Sequence, residues 1–297
     1  MARIMPVEKR NTILRLLVEG NSIRSVTRLM GTNIPTVLRQ LTWAGEHCRK
    51  LMDESFRGLT LDHLEIDETW TFVAKKQGRL TDEEKQTRHD IGDVYLWIAL
   101  DQKTKCIPSY MLGKRTGDSA RRFMLDLQSR LVGRNPHASD DHNWQYRSFE
   151  PITQLSTDAF AAYPEAVDLA FGPYAKFGTI TKDYRNANQP GRYAPGEMVG
   201  SQRRPVYNMD DSEKRSICTS HVERTNLTIR TFLRRFTRLA LGFSKKIENL
   251  EAAVNLYMAY YNFCWRPGKM RITPAMAAGV TGRLWSFNDL LNDGPES

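Results

Sequence analysis

The sequence predicts an α/β protein with a helical amino-terminal segment, a central mixed sheet and carboxy-terminal helices. Three observations lead there. The first 55 residues carry helical periodicity only, interrupted by glycine where helices end. Residues 64–113 hold three β-branched or aromatic runs separated by polar segments. After them, helical and strand-like segments alternate, an order that builds a sheet with helices packed on it.

The amino-terminal segment reads as three short helices. In "VEKRNTILRLLVEG" the residues Ile13, Leu14, Leu16, Leu17 and Val18 fall on one side, and Gly20-Asn21 closes the helix. Ser22 caps "IRSVTRLM", which stops at Gly31. Thr32 or Asn33 caps a third helix, with Pro35 in its first turn, where a missing N–H costs little. Two helices joined by a tight glycine turn make a helix-turn-helix pattern, and positions 1–60 hold ten basic residues against five acids. Such a module presents Arg24, Asn33, Thr36 and Arg39 to DNA. The expected domains are this one at 1–55, a catalytic α/β domain at 60–265, and a tail at 266–297.

Next come the strands "LEIDETWTFV" (64–73), "DVYLWIALD" (93–101) and "CIPSYMLG" (106–113). A polar loop joins the first two and a tight "DQKTK" hairpin the others. "TGDSARRFMLDLQSRLVG" is a helix capped near Thr116 or Asp118. "ITQLSTD" (152–158) is a fourth strand, "AFAAYPEAVDLAFG" a helix, and "AKFGTITKDY" a fifth strand. This order is the one found in ribonuclease-H-like domains, which place the first and fourth strands side by side. Residues 183–217 lack periodicity and read as a long loop insertion. Helices at about 217–238 and 245–263 follow, then a loop and a short helix.

Composition narrows the function. Lys and Arg number 43 against 34 Asp and Glu, a net charge of +9 that favours a polyanionic partner. Charged residues at 26% and hydrophobic residues at 40% are those of a folded chain with a core, not of a disordered one. The four cysteines, Cys48, Cys106, Cys218 and Cys264, lack zinc spacing and read as thiols of a reducing compartment. No apolar run reaches the roughly 20 residues of a membrane span. The opening stretch has no signal-peptide pattern, so a cytoplasmic location is expected.

Three acids sit where chemistry concentrates. Asp67 lies in the first strand, Asp158 ends the fourth, and Glu223 opens a basic helix. Taken singly, each acid is better read as a turn, a cap or a complement to a helix start, and Glu65 and Glu68 beside Asp67 read as solvated charges. Taken together, strand ends and the adjacent helix converge on one crevice. Clustered carboxylates suit Mg²⁺ or Mn²⁺, two of which activate a nucleophile and stabilise a leaving oxygen in phosphodiester cleavage. Asp67, Asp158 and Glu223 are therefore the candidate catalytic and metal-binding residues.

From 221 to 246 there are seven basic residues and one acid. Arg224, Arg230, Arg234, Arg235, Arg238, Lys245 and Lys246 lack acids at helical spacing and read as phosphate contacts. Asn226 and Arg230 share a helical face with Glu223 and are assigned to DNA with them.

"EIDETW" around Asp67, "LSTDAFAAYP" around Asp158, and "HVERTNLTIR" with the downstream "GFSKKIENLEAAVNLYMAYYN" resemble the DDE transposases, more closely those of the insertion-sequence-one family of bacteria. The resemblance implies a ribonuclease-H-like catalytic domain and a Mg²⁺-dependent cut at the ends of a mobile element. Strand transfer by the freed 3′-hydroxyl follows from it. It also implies double-stranded DNA as partner, both as element ends and as target, a homodimer or larger assembly on that DNA, and association with the bacterial nucleoid. The chain departs from better-known members in lacking a Cys-rich zinc segment and in the 65 residues between Asp158 and Glu223. It also has Thr225 where a His often follows the Glu, and His221 is given no role. The alternatives are a domesticated DNA-binding regulator with an inactive catalytic domain, and a structure-specific nuclease of the same fold.

Overall fold

Residues 5–132, 153–185, 197–238, 240–268 and 270–291 are described by a computed structural model. The amino-terminal helices are α1 (Val7–Val18), α2 (Ile23–Met30) and α3 (Ile34–Ser55). Ser22 Oγ accepts the Ser25 N–H at 3.0 Å and caps α2. Gly31 ends it at φ 55, a left-handed conformation that glycine adopts without a Cβ penalty. Asn33 Oδ1 then accepts the Thr36 N–H at 2.9 Å and starts α3.

Among the described residues, six strands form one sheet: β1 (His63–Val73), β2 (Gly92–Asp101), β3 (Ser109–Gly113), β4 (Thr153–Asp158), β5 (Ala175–Arg185) and β6 (Glu197–Tyr207). Their spatial order is β3-β2-β1-β4-β5-β6. β1, β2 and β3 pair antiparallel as a meander, β4 runs parallel to β1, and β5 parallel to β4. The expected adjacency of the first and fourth strands holds, with Leu64 opposite Leu155 and Glu65 opposite Ser156. Helix α5 (Gly117–Arg130) lies in sequence between β3 and β4, α6 (Tyr163–Phe171) lies between β4 and β5, and the two pack on each other. Thr116 Oγ1 caps α5 through the Ser119 N–H.

Four expectations are corrected. The described parts of the segment 183–217 are not a structureless loop, and residues 186–196 of it lie outside the described residues. Its first residues complete β5, and β6 pairs antiparallel with β5 from Phe177 opposite Tyr207 to Arg185 opposite Glu197. A strand on a sheet edge draws its pairing from the neighbouring backbone, so its polar composition carries no alternation. The third strand begins at Ser109, not at residue 106, because Pro108 has no N–H to give the ladder. Instead the buried Asn262 side chain accepts the Ile107 N–H and donates to the Ile107 carbonyl, each at 3.0 Å. The polar loop between β1 and β2 contains α4 (Asp82–Thr87), set by a Thr81–Glu84 capping box. The basic helix is shorter than expected, as the site geometry makes plain.

Three further helices, α8 (Ile247–Phe263), α9 (Pro274–Ala277) and α10 (Phe287–Leu291), close the chain, and α3 lies along α8. Gly45 makes that crossing close: a Cβ there would fall 2.4 Å from Ala252 Cα. One apolar core runs from Ile13 and Leu14 through Trp97 and Phe177 to Tyr257 and Leu290. No helix among the described residues is long and apolar enough to cross a membrane.

Candidate active site

β1 carries polar residues on one face, Glu65, Asp67, Thr69 and Thr71, a phase that reads as solvent-facing. The structure covers that face with α7 (Ser220–Phe232) and the turn after it, so Glu65, Thr69 and Thr71 are buried. A buried polar group costs least when it has a partner, which Glu65 and Thr71 have and Thr69 Oγ1 lacks. Glu65 Oε2 accepts the backbone N–H groups of His221 and Val222, at 2.8 and 2.9 Å, and Glu65 Oε1 lies 2.7 Å from His221 Nδ1. The start of α7, whose first N–H groups have no helical partners, is thus pinned to β1. Thr71 Oγ1 donates to the Arg235 carbonyl at 2.7 Å. Asn226 Nδ2 donates to Asp67 Oδ2 at 2.8 Å.

Asp67, Glu68 and Asp158 place one carboxylate oxygen each within 4.8 Å of one another. Glu68 points to the face of β1 opposite α7. Its Oε1 accepts from Tyr163 Oη at 2.5 Å, on α6. Arg115, between β3 and α5, donates to Asp158 Oδ2 at 2.6 Å and to Glu68 Oε2 at 3.4 Å. Asp158 Oδ1 accepts the Phe160 N–H at 2.9 Å, which fixes the carboxylate at the end of β4. Arg115 also lies 4.3 Å from the Phe160 ring centroid.

The electrostatics follow from burial and crowding. Burial first, then Asp158 and Glu223 nearby, push the Asp67 carboxyl up to about 6, against the pull of the Asn226 hydrogen bond. Glu68 is pushed up to about 7, again first by burial, with Asp158 and Asp67 adding to it and Tyr163 and Arg115 opposing. Acids gathered in this way repel unless a cation joins them. Three hard oxygen donors at this spacing fit a divalent cation of the Mg²⁺ or Mn²⁺ type.

Glu223 stands on α7 one turn before Asn226, within electrostatic reach of Asp67. It is outside the 4.8 Å group. Its Oε1 is held by Lys182 Nζ from β5 and by Thr219 Oγ1 at 2.8 Å. The structure therefore brings Asp67 and Asp158 together, adds Glu68, and sets Glu223 beside them in an ion pair.

A second group, Glu65, Cys218 and His221, also has ligand atoms within 4.8 Å of one another. There the Glu65 oxygens are already occupied by the start of α7, a structural use.

The basic residues divide. Arg224, Arg234, Arg238, Lys245 and Lys246 are exposed, Arg230 partly buried. Asn226, assigned to DNA from the sequence, is 2% exposed and spent on Asp67. α7 ends at Phe232, not near 238, so Arg234 and Arg235 lie in a separate 3₁₀ turn, Arg234–Phe236, and Arg238 beyond it. Arg235 is folded back, its Nε donating to Ser244 Oγ at 2.7 Å, rather than extending the helix face. Arg24, Asn33 and Arg39 are exposed and Thr36 partly so, on α2 and the first turns of α3.

Sequence reasoning missed Glu68, Arg115, Tyr163 and Lys182. Only Glu68 left a signal: it shares a phase with Leu64 and Ile66, so an acid stands on the core-facing side of the strand. Glu65 and Glu68, expected as solvated charges, have side chains only 3% and 2% exposed, because α7 and α6 cover the two faces of β1.

No protein-family model matches the chain, and no curated protein does. Among solved structures, a pre-cleavage Mos1 transpososome is similar over 87% of this chain and 80% of that chain, at 10% identity and a TM-score of 0.27. A likeness that slight carries no argument about this chain.

Proposed function

We propose that the chain is a metal-dependent phosphoryl-transfer enzyme acting on nucleic acid. More particularly, we read it as a DNA transposase of DDE type that binds the ends of a mobile element, cuts them and joins them to a target. The observation that carries this reading is the meeting of Asp67 and Glu68, midway along β1, with Asp158 at the end of the neighbouring β4, and Glu223 on the helix above. The strand order β3-β2-β1-β4-β5 and its mixture of senses support a ribonuclease-H-like catalytic domain across 60–265. The exposed Arg24 and Arg39, on α2 and α3, support end recognition by residues 1–55.

In this reading Asp67, Asp158 and Glu223, with Glu68, hold two Mg²⁺ or Mn²⁺ ions. When bound, these supply activation of the attacking hydroxyl and charge stabilisation of the leaving oxygen. The chain's own residues do the rest. Asn226 fixes the rotamer of Asp67, and the Phe160 N–H fixes Asp158. Lys182 and Thr219 hold Glu223 at the edge of the cluster, and Glu65 locks the helix that bears it. Arg115 balances the carboxylates and stands where a phosphate oxygen can share its guanidinium. Two element ends held together require a homodimer or larger assembly.

The test is incubation of the protein with Mg²⁺ and donor DNA carrying the sequences that flank its coding region, with a supercoiled target. Cut ends joined to target are expected. Cutting without joining identifies a nuclease of the same fold, and DNA binding without cutting identifies a regulator.

A further inference from the structure

A cleft of about 570 Å³ opens beside the far half of β1, between the chain that follows β1 and the chain that follows α7. Its walls are aromatic and basic. Trp70, Phe72 and Phe243 supply the rings, with centroids 5.7 Å apart for Trp70–Phe72 and 4.6 Å for Phe72–Phe243. Lys76, Arg79 and Arg235 supply charge, and no carboxylate is among the described lining residues. The volume is that of a small-ligand site, roughly 300–1,000 Å³.

The rings are half-buried and accessible from the cleft. Lys76 Nζ lies over them, 5.5 Å from the Trp70 centroid and 5.9 Å from that of Phe72. Its stem is exposed and can swing away from the rings toward an incoming anion. Arg235 has no carboxylate partner among the described residues. Burial alone lowers its pKa to about 10, so it stays charged at neutral pH and awaits an anion. Trp70 stands three residues from Asp67 along β1, about 10 Å at roughly 3.3 Å per residue.

We propose that this cleft takes an unstacked nucleotide of the bound DNA, its base stacked on Trp70, Phe72 or Phe243 and its phosphates met by Lys76, Arg79 and Arg235. Flat aromatic faces among cations suit a ligand that offers a free flat face beside a phosphate, as a splayed nucleotide does; a paired one keeps its base faces stacked within the duplex. The inference rests on DNA as the partner and goes beyond it by assigning a single-stranded subsite apart from the carboxylate cluster.

The experiment measures binding of fluorescent dT12 and of a 12-base-pair duplex to wild type, Trp70→Ala/Phe243→Ala and Lys76→Ala/Arg79→Ala. Loss of stacking should weaken dT12 roughly 10- to 100-fold and leave duplex binding within about twofold. The exposed Lys76 and Arg79 cannot unfold the chain, and their double variant should weaken dT12 and flatten its salt dependence. Unchanged dT12 affinity in both variants overturns the subsite, as does an equal loss for duplex and single strand. Asp158→Asn separates the two readings: it should bind dT12 as wild type does while cutting nothing. A wild type that binds neither DNA ends both readings, whereas cutting by Asp158→Asn with cleft-dependent dT12 binding ends only the catalytic one.

Discussion

Asn226 reaches across 159 residues of sequence to hold Asp67, its amide donating to the carboxylate at 2.8 Å. This bond fastens α7 to β1 at the point where the carboxylates gather, and it sets the orientation of one proposed metal ligand. Groups that orient ligands in this way change metal affinity without touching the metal.

Asn226→Ala should therefore fold yet bind divalent cation about 10- to 100-fold more weakly. Calorimetric titration with Mn²⁺ reads this directly. An Mn²⁺ affinity unchanged in Asn226→Ala would show that Asp67 needs no such support.

The raised carboxyls give a pH signature. Asp67 at about 6 and Glu68 at about 7 lie above their unfolded values, so the folded state binds these protons more tightly. Below about pH 4 they contribute nothing to stability. As pH rises from about 4 to about 7 they ionise in the buried cluster, and stability falls. With chelator present, Asp67→Asn/Glu68→Gln should keep on the order of 1–3 kcal/mol that wild type loses by pH 8. Urea melts at pH 4 and pH 8 measure it, and Mg²⁺ or Mn²⁺ should restore the wild type at pH 8.

Much of the fold was legible in the sequence, because its signals are local. Asn33 and Thr116 cap where capping residues were expected, and Pro108 moves the start of β3 from 106 to Ser109. Asp67 and Asp158 could be found because the order of elements alone makes β1 and β4 neighbours. The rest depends on packing between distant elements. The polar phase of β1 reads as solvent-facing, and only α7 lying on it turns Glu65 into an anchor and Asn226 into a support. Lys182 and Arg115 come from other elements, and nothing local marks them. Arg235 reads as one of a row of arginines along a helix, but α7 ends at Phe232, which takes it off that row, against Ser244 and into the lining of the cleft beside β1.

Gly45 lets α3 and α8 touch. In Gly45→Ala the new methyl would meet the Ala252 backbone at 2.4 Å, so one helix must shift. A loss of about 1–3 kcal/mol is expected from overpacking, seen as a lower melting temperature. Because α3 also carries the proposed recognition residues, the same variant should weaken duplex binding more than single-strand binding.

The helix-turn-helix reading makes its own demand. Arg24→Ala and Arg39→Ala should each weaken binding to end DNA and reduce the slope of log affinity against log salt by about one. Equal slopes for wild type and both variants would place the DNA elsewhere on the molecule.

The proposed function stands or falls on whether Asp67 and Asp158 form one metal-dependent cutting site. The direct measurement is the rate of donor-DNA cleavage in Mg²⁺ by Asp67→Asn and by Asp158→Asn, each first shown to bind the same DNA as wild type. At least a roughly thousandfold loss is expected in each, about 4 kcal/mol of transition-state stabilisation. Cleavage at the wild-type rate by either variant would contradict it.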